Sequence, residues 1–198
     1  MLGQAPGPIV PTIAHPDLPA EFARAALERQ ETGESLAQAC TYLGEGVPLC
    51  FRVEVDGKRN WISVAELKSW GLSLEDVGKA VKIQEERNPL VEMRPPDGGH
   101  WWQVEARDGR ESMIFLNPEW LSVVGESAVV AAPIRGVVLA WESGDPENDK
   151  IMAVGVRALF DQGEAPVSPK LFRYTNKGWV VWGEIVLGAG EAPKPETR

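Results

Sequence analysis

Residues 128–141 read AVVAAPIRGVVLAW. Two near-continuous apolar runs, AVVAA and VVLAW, flank the turn PIRG. A strand with one wet face alternates apolar and polar side chains, whereas these runs do not alternate, which suits central strands covered on both faces. Everything else in the chain has to be compatible with that pair.

The flanking segments carry punctuated signals. VPLCFRVEV at 47–55 alternates Leu49, Phe51, Val53 and Val55 with Pro48, Cys50, Arg52 and Glu54, and is followed by DGK. This predicts a half-buried strand entering a tight turn, with NWIS as a short returning strand. Ser63 followed by Glu66 has capping-box spacing, and Gly71 after Trp70 closes that turn of helix. Ser73 and Asp76 repeat the signal and open a helix that Pro89 ends, with Val77, Ala80, Val81 and Gln84 on its inner face. LVEMR reads as a strand. In GGHWWQVEARDGRESMIFLN at 98–117, Asp108-Gly109 predicts a hairpin in which Trp102 opposes Phe115, Val104 opposes Met113, and Trp101 shares the second face with Ile114 and Leu116.

Asn117-Pro118 and Asp145-Pro146 each pair a cap with proline at the first helical position. The second opens a long helix with Ile151, Val154, Gly155, Ala158 and Leu159 on one face and Met152 and Val156 on a neighbouring stripe, so this helix is expected to be the most buried. KLFRYTNKGWVVWGEIVL closes the chain with a hairpin turning at Asn176-Lys177-Gly178. Near the start, Phe22, Ala25, Ala26 and Arg29 share a helical face. After a break at Gly33, Leu36, Ala39, Cys40 and Leu43 resume that spacing, which predicts two short helices or one bent helix.

Strands and helices mix without a βαβ repeat, and adjacent strands are joined by hairpins. The expected class is α+β: one domain over 20–187, with a largely antiparallel mixed sheet of about six to eight strands and four or five helices. Residues 1–19, with five prolines, read as an extended arm that lies on the domain or is disordered, and 188–198 as a flexible polar tail.

Four segments resemble the YtpQ-like bacterial proteins, a family of unknown function, over about 60–182. They are WISVAELKSWGLSLEDVGKAVKIQEERNP, HWWQVEARDGRESMIFL, GESAVVAAPIRGVVLAWE and APVSPKLFRYTNKGWV. The chain departs from that family by lacking its longer N-terminal region. The resemblance implies a divergent or abbreviated member and supports the fold, but it assigns no catalytic residue.

Twenty Lys and Arg against 29 Asp and Glu give a net charge of −9 with no basic block. This argues against nucleic acid or an anionic membrane as the main partner. No apolar run reaches the ~18 residues that mark a membrane span. The N-terminus lacks the basic and apolar regions of a signal peptide, so the expectation is cytoplasmic, with export after loss of a leader as the alternative. Cys40 and Cys50 are too few for a disulfide framework and are not spaced as metal ligands. They read first as free buried thiols, and alternatively as one disulfide from a helix end to the next strand, which would imply export.

Catalytic groupings are weak. His15 and His100 are the only histidines, no Gly-x-Ser-x-Gly elbow occurs, and DPENDK at 145–150 lacks the pattern of an EF-hand loop. Its acids are explained by a capped helix start. No catalytic residue, metal or cofactor is assigned. The candidate ligand contacts are Arg135, in the turn between the two central runs, His100 at a strand start, and Trp101 and Trp120 as aromatic surfaces. The leading expectation is a non-catalytic domain that binds a protein or small ligand through a sheet face or strand-end loops. The alternatives are a carboxylate and arginine hydrolase-like enzyme, or an accessory assembly subunit.

Overall fold

The computed structural model describes residues 5, 7–14, 18–43, 47–87, 91–94, 100–106 and 110–184. Its strands are β1 (Ile9–Ile13), β2 (Cys40–Leu43), β3 (Val47–Val55), β4 (Lys58–Trp61), β5 (Val91–Arg94), β6 (Trp101–Ala106), β7 (Ala128–Ile134), β8 (Val137–Glu142), β9 (Lys170–Thr175) and β10 (Gly178–Glu184). The α-helices are α1 (Leu18–Glu28), α2 (Val64–Ser69), α3 (Leu74–Arg87) and α4 (Pro146–Gln162). Among the described residues, 3₁₀ turns cover Gly33–Leu36, Glu111–Phe115 and Pro118–Val123. This is an α+β fold, but the strands divide between two antiparallel sheets. In one, β3 is flanked by β1 on one edge and by β2 and β4 on the other; the second runs β10-β9-β7-β8-β6-β5.

The two apolar runs form β7 and β8 at the centre of the larger sheet. Alternate residues point to opposite sides. Ala128, Val130, Ala132, Val138 and Ala140 join the main core, which also contains Leu49, Phe51 and Val53 of the smaller sheet. Val129, Ala131, Leu139 and Trp141 join a second core with Met152 and Val156 of α4. Both faces are therefore covered, one by the other sheet and one by a helix.

Local chemistry explains the boundaries. Ser63 and Glu66 form the predicted capping box at α2: the Ser63 N–H donates to Glu66 Oε2 (2.7 Å) and the Glu66 N–H to Ser63 Oγ (3.1 Å). Ser73 and Asp76 repeat this exchange ahead of α3. Val77 and Val81 of the expected inner face are buried, whereas Ala80 is exposed.

Residues 9–13 of the proline-rich segment are extended and lie on the domain as a strand paired with β3 over Ile9↔Val53 to Ile13↔Leu49. Four expectations are corrected. Residues 40–43, spaced like a helix, are strand β2 instead, because the free edge of β3 offers backbone partners that outweigh local periodicity. Cys40 and Cys50 stand opposite each other in that pairing and are joined by a disulfide. They are not free thiols, and the bridge links two strands.

The third correction concerns the hairpin about Asp108-Gly109, whose turn lies outside the described residues. Its first arm is β6, yet both edges of β6 are occupied, by β5 (Val91↔Ala106) and by β8 (Trp101↔Trp141). Residues 111–115 coil into a 3₁₀ turn that buries Ser112, Met113, Ile114 and Phe115 in succession. A strand would have sent alternate members of that run to the far face. Trp102 does share a core with Val104, Met113 and Phe115 as expected, but Ile114 and Leu116 join it there and not Trp101.

The fourth correction is that α4, expected to be the most buried helix, buries one stripe only. Met152 and Val156 face the sheet, while Ile151 and Val154 are 62% and 61% exposed. A polar contact decides this. The indole N–H of buried Trp141 donates to Asp149 Oδ1 (2.8 Å), and Asp149 Oδ2 accepts from Ser143 Oγ (3.0 Å) and the Gly144 N–H (3.2 Å). Asp149, Met152, Ala153 and Val156 recur at one-turn spacing, so fixing Asp149 turns that stripe inward.

Two measurements check this architecture. Met152→Ala should cost about 2–4 kcal/mol in urea unfolding, whereas Ile151→Gln should change stability by less than about 0.5 kcal/mol; comparable losses in both would restore a helix buried on both stripes. Unfolded protein should show no titratable thiol until reductant is added. Reduction should lower stability by about 2–3 kcal/mol, the chain-entropy value for so short a loop.

Candidate functional site

The β3–β4 hairpin sets the first part of the site. Asp56 and Gly57 both have positive φ (52° and 71°), the conformation of a two-residue type I′ turn. This register places Glu54 opposite Arg59 and Arg52 opposite Trp61. Phe51, Val53 and Val55 face the core, so Arg52, Glu54, Arg59 and Trp61 share the other face. There Arg59 Nε donates to Glu54 (3.3 Å), the Arg52 guanidinium lies 4.8 Å from the Trp61 ring centroid, and Arg52 Nη2 donates to the Arg59 carbonyl (2.9 Å).

Three more elements, β1, the 3₁₀ turn at Glu111–Phe115 and the β7–β8 turn, complete a recess of about 60 Å³ lined by Thr12, Arg52, Arg59, Glu111, Ser112, Arg135 and Gly136. Arg135 and Gly136 are the turn between β7 and β8. Gly136 has φ 80°, and the Arg135 N–H donates to the Ala165 carbonyl (2.9 Å), which anchors the turn while the Arg135 side chain stays exposed. Glu111 and Ser112 begin the buried 3₁₀ turn.

Electrostatics at the recess follow from burial and crowding. Loss of water, then the positive charges of Arg135 and Arg59, pull the Arg52 guanidinium below its ordinary range. Its Nε is shielded from solvent and meets no acceptor among the described residues. Burial raises the Glu111 carboxyl above the usual range, against its own backbone N–H and the nearby Arg59.

A second, larger recess of about 450 Å³ is lined by His100, Trp102, Glu142, Ser143, Gly144, Asp145 and Asn148. Two acids in this region already have structural duties: Asp145 caps α4 by accepting from the Glu147 N–H (3.0 Å), and Asp149 holds Trp141. Among the described residues no group of three or more His, Cys, Asp and Glu is placed to hold a metal.

The predicted contacts do not converge. Arg135 stands at the start of β8 and His100 beside its end, roughly 20 Å apart for a strand of this length. Trp101 packs on the α4 side of the large sheet, whereas Trp120 is half-buried against the main core. They form no common aromatic surface. Trp102, Trp141, Trp179 and Trp182 lie in strands, as expected. The sequence reading missed Arg52, Arg59 and Glu111. The DGK turn held the signal for the first two, since counting outward from it places both arginines on the face away from Phe51 and Val53.

What the fold and site define is a two-sheet α+β domain with one cationic and one mixed polar recess at opposite ends of a central strand. No protein-family model, curated protein or solved structure matches the chain.

A carboxyl whose folded-state pKa is raised favours folding when protonated, so its cost is absent at low pH and grows as pH rises through the folded value. Glu111→Gln should therefore be at least as stable as the parent at pH 7, with the advantage shrinking as pH falls toward the ordinary carboxylate range. Urea titrations at pH 7 and pH 4 test this, and a destabilised variant at pH 7 would contradict it.

Proposed function

We propose that this chain is a non-catalytic recognition domain that engages a protein or small ligand through the loops at the ends of its central strands. The observation that supports this reading best is that arginines from three separate elements, β3, β4 and the β7–β8 turn, line one recess. Connecting segments held on a rigid sheet are where binding side chains are commonly presented. The hydrolase alternative calls for Arg135 with paired carboxylates in one cleft, and among the described residues Glu111 is the one acid that lines the recess of Arg135.

The reading extends to the compartment. A disulfide between Cys40 and Cys50 favours an oxidising environment, so the domain is proposed to work after export and not in the cytoplasm. Among the described residues no helix is long and apolar enough to cross a membrane. The relation to the YtpQ-like proteins belongs to the same proposal and rests on the four landmark segments.

The test is a paired screen. Chromogenic esters, phosphomonoesters and glycosides should show no turnover above buffer, while thermal-shift trials against short peptides and small organic acids should give at least one saturable rise in Tm. Turnover that disappears in His100→Ala or Glu111→Gln would sink the reading in favour of an enzyme.

A further inference from the structure

We propose that the larger recess, at the His100 end of β8, is a site for a small organic monocation that carries a primary ammonium group. This rests on the recognition reading above and names a ligand class for the second of the two strand-end recesses.

Size comes first. Sites that enclose a small ligand measure roughly 300–1,000 Å³. At about 450 Å³ this recess lies in that range, whereas the arginine recess at about 60 Å³ falls well below it.

The backbone brings the lining groups together. Trp101 of β6 pairs with Trp141 of β8, so one position further out His100 stands beside Glu142. Alternation puts both on the side of Trp102 and Ala140, which belong to the main core. On its other edge Glu142 pairs with Ala128 of β7, and its carboxylate lies over Gly125, where a Cβ would collide with it. Asp145 and Asn148 enter from the cap and first turn of α4.

Charge selects the ligand. Glu142 and Asp145 contribute two negative charges, and no Lys or Arg is among the described residues that line the recess. Exposed acids elsewhere pair with cations, as Glu119 does with Lys82. The N-terminus of α4 offsets about half a charge. With His100 counted neutral, the recess carries about −1.5, which one positive charge brings close to zero. An anion would add to the repulsion. A metal ion is short of ligands, because no group of three or more His, Cys, Asp and Glu is placed to hold one among the described residues.

Acceptors and wall decide the form of the cation. Asp145 uses Oδ1 on the Glu147 N–H, which leaves Oδ2. With the Asn148 amide oxygen and the Glu142 carboxylate, it supplies acceptors for the three N–H bonds of a primary ammonium. Half-buried Trp102 gives the alkyl part of the ligand an apolar wall and its charge a π face. A sugar hydroxyl would also donate to these carboxylates, but it would leave both negative charges uncompensated.

The experiment is an NMR titration of the full chain at pH 7, in which n-butylammonium chloride replaces sodium chloride at constant ionic strength. It follows the Gly144 amide and the Trp102 indole N–H, the latter assigned by its loss in Trp102→Phe. Saturable shifts at both are expected. Glu142→Gln should weaken binding at least about fivefold, the loss of one charge-assisted contact. Asp145→Asn should do the same while moving the thermal midpoint by less than about 3 °C, because asparagine caps a helix about as well as aspartate. An acid that serves only as a cap predicts no change in amine binding in that variant.

Shifts linear in amine, affinities unchanged in both variants, or equally tight binding of 1-butanol, which has the same chain without the charge, would each overturn the proposal. So would saturation by methyl glucoside at lower concentration than butylammonium, which would make the recess a sugar platform. If butylammonium fails but other ligands stabilise the domain, only this inference falls; enzymatic turnover would remove the recognition reading whatever the amine does.

Discussion

Two-sided burial of β7 and β8 is the constraint on which the rest of the structure depends. Their facing pairs match small to large, with Val130 beside Ala140, Ala131 beside Leu139 and Val129 beside Trp141. Alanines on this pair let neighbouring layers approach closely, so the sheet needs cover of two kinds. The smaller sheet supplies it on one side with Leu49, Phe51 and Val53, and α4 on the other with Met152 and Val156. A strand pair buried in this way cannot carry ligand-binding groups on its own faces. What it can present is its ends, and both recesses lie there.

Polar contacts fix the orientation of that cover. Trp141 is fully buried and needs an acceptor for its indole N–H, because an unpaired donor in such a place costs about 1–3 kcal/mol. Asp149 provides it, and in doing so sets the rotation of α4 and leaves Ile151 and Val154 outside. In the smaller sheet the disulfide plays the corresponding part. It ties β2 to β3 at the Cys40↔Cys50 pair, four chain positions above where β3 meets Arg59 through Glu54. The strand that carries Arg52 is thereby held on one edge by β1 and on the other by β2 and β4.

The sequence spoke clearly wherever local chemistry decides structure. The bounds of β3, the capping boxes at Ser63 and Ser73, the cap at Asp145 and the last hairpin all follow from side chains within a few residues of one another. It was silent or misleading where distant partners decide. Cys40 to Leu43 carry helical spacing, and only the waiting edge of β3 makes them a strand. Asp108-Gly109 promised a hairpin, but β8 and β5 had both claims on β6. On α4 two apolar stripes compete, and periodicity cannot rank them; Asp149 does so through a tryptophan eight residues earlier. Of the cationic recess only Arg135 was legible as a turn residue. Its meeting with Arg52 and Glu111 depends on how the two sheets pack, which no local pattern encodes.

Arginine crowding gains its significance from the protein's overall acidity. On a chain with a net charge of −9, three guanidinium groups could each have been satisfied by a separate carboxylate. Surface pairs of that kind are present elsewhere, as in Arg157 with Asp161 and Lys79 with Glu75. At the recess Arg59 has such a partner in Glu54, while Arg52 feels Arg135 and Arg59 as repulsive neighbours and the lining acid Glu111 is itself disfavoured as an anion by burial. Folding energy alone would separate like charges or pair them off. Here the packing of the two sheets holds them together, with Arg52 against Trp61 and Arg135 on an anchored turn, so the repulsion on Arg52 is a cost that the burial of the surrounding core offsets.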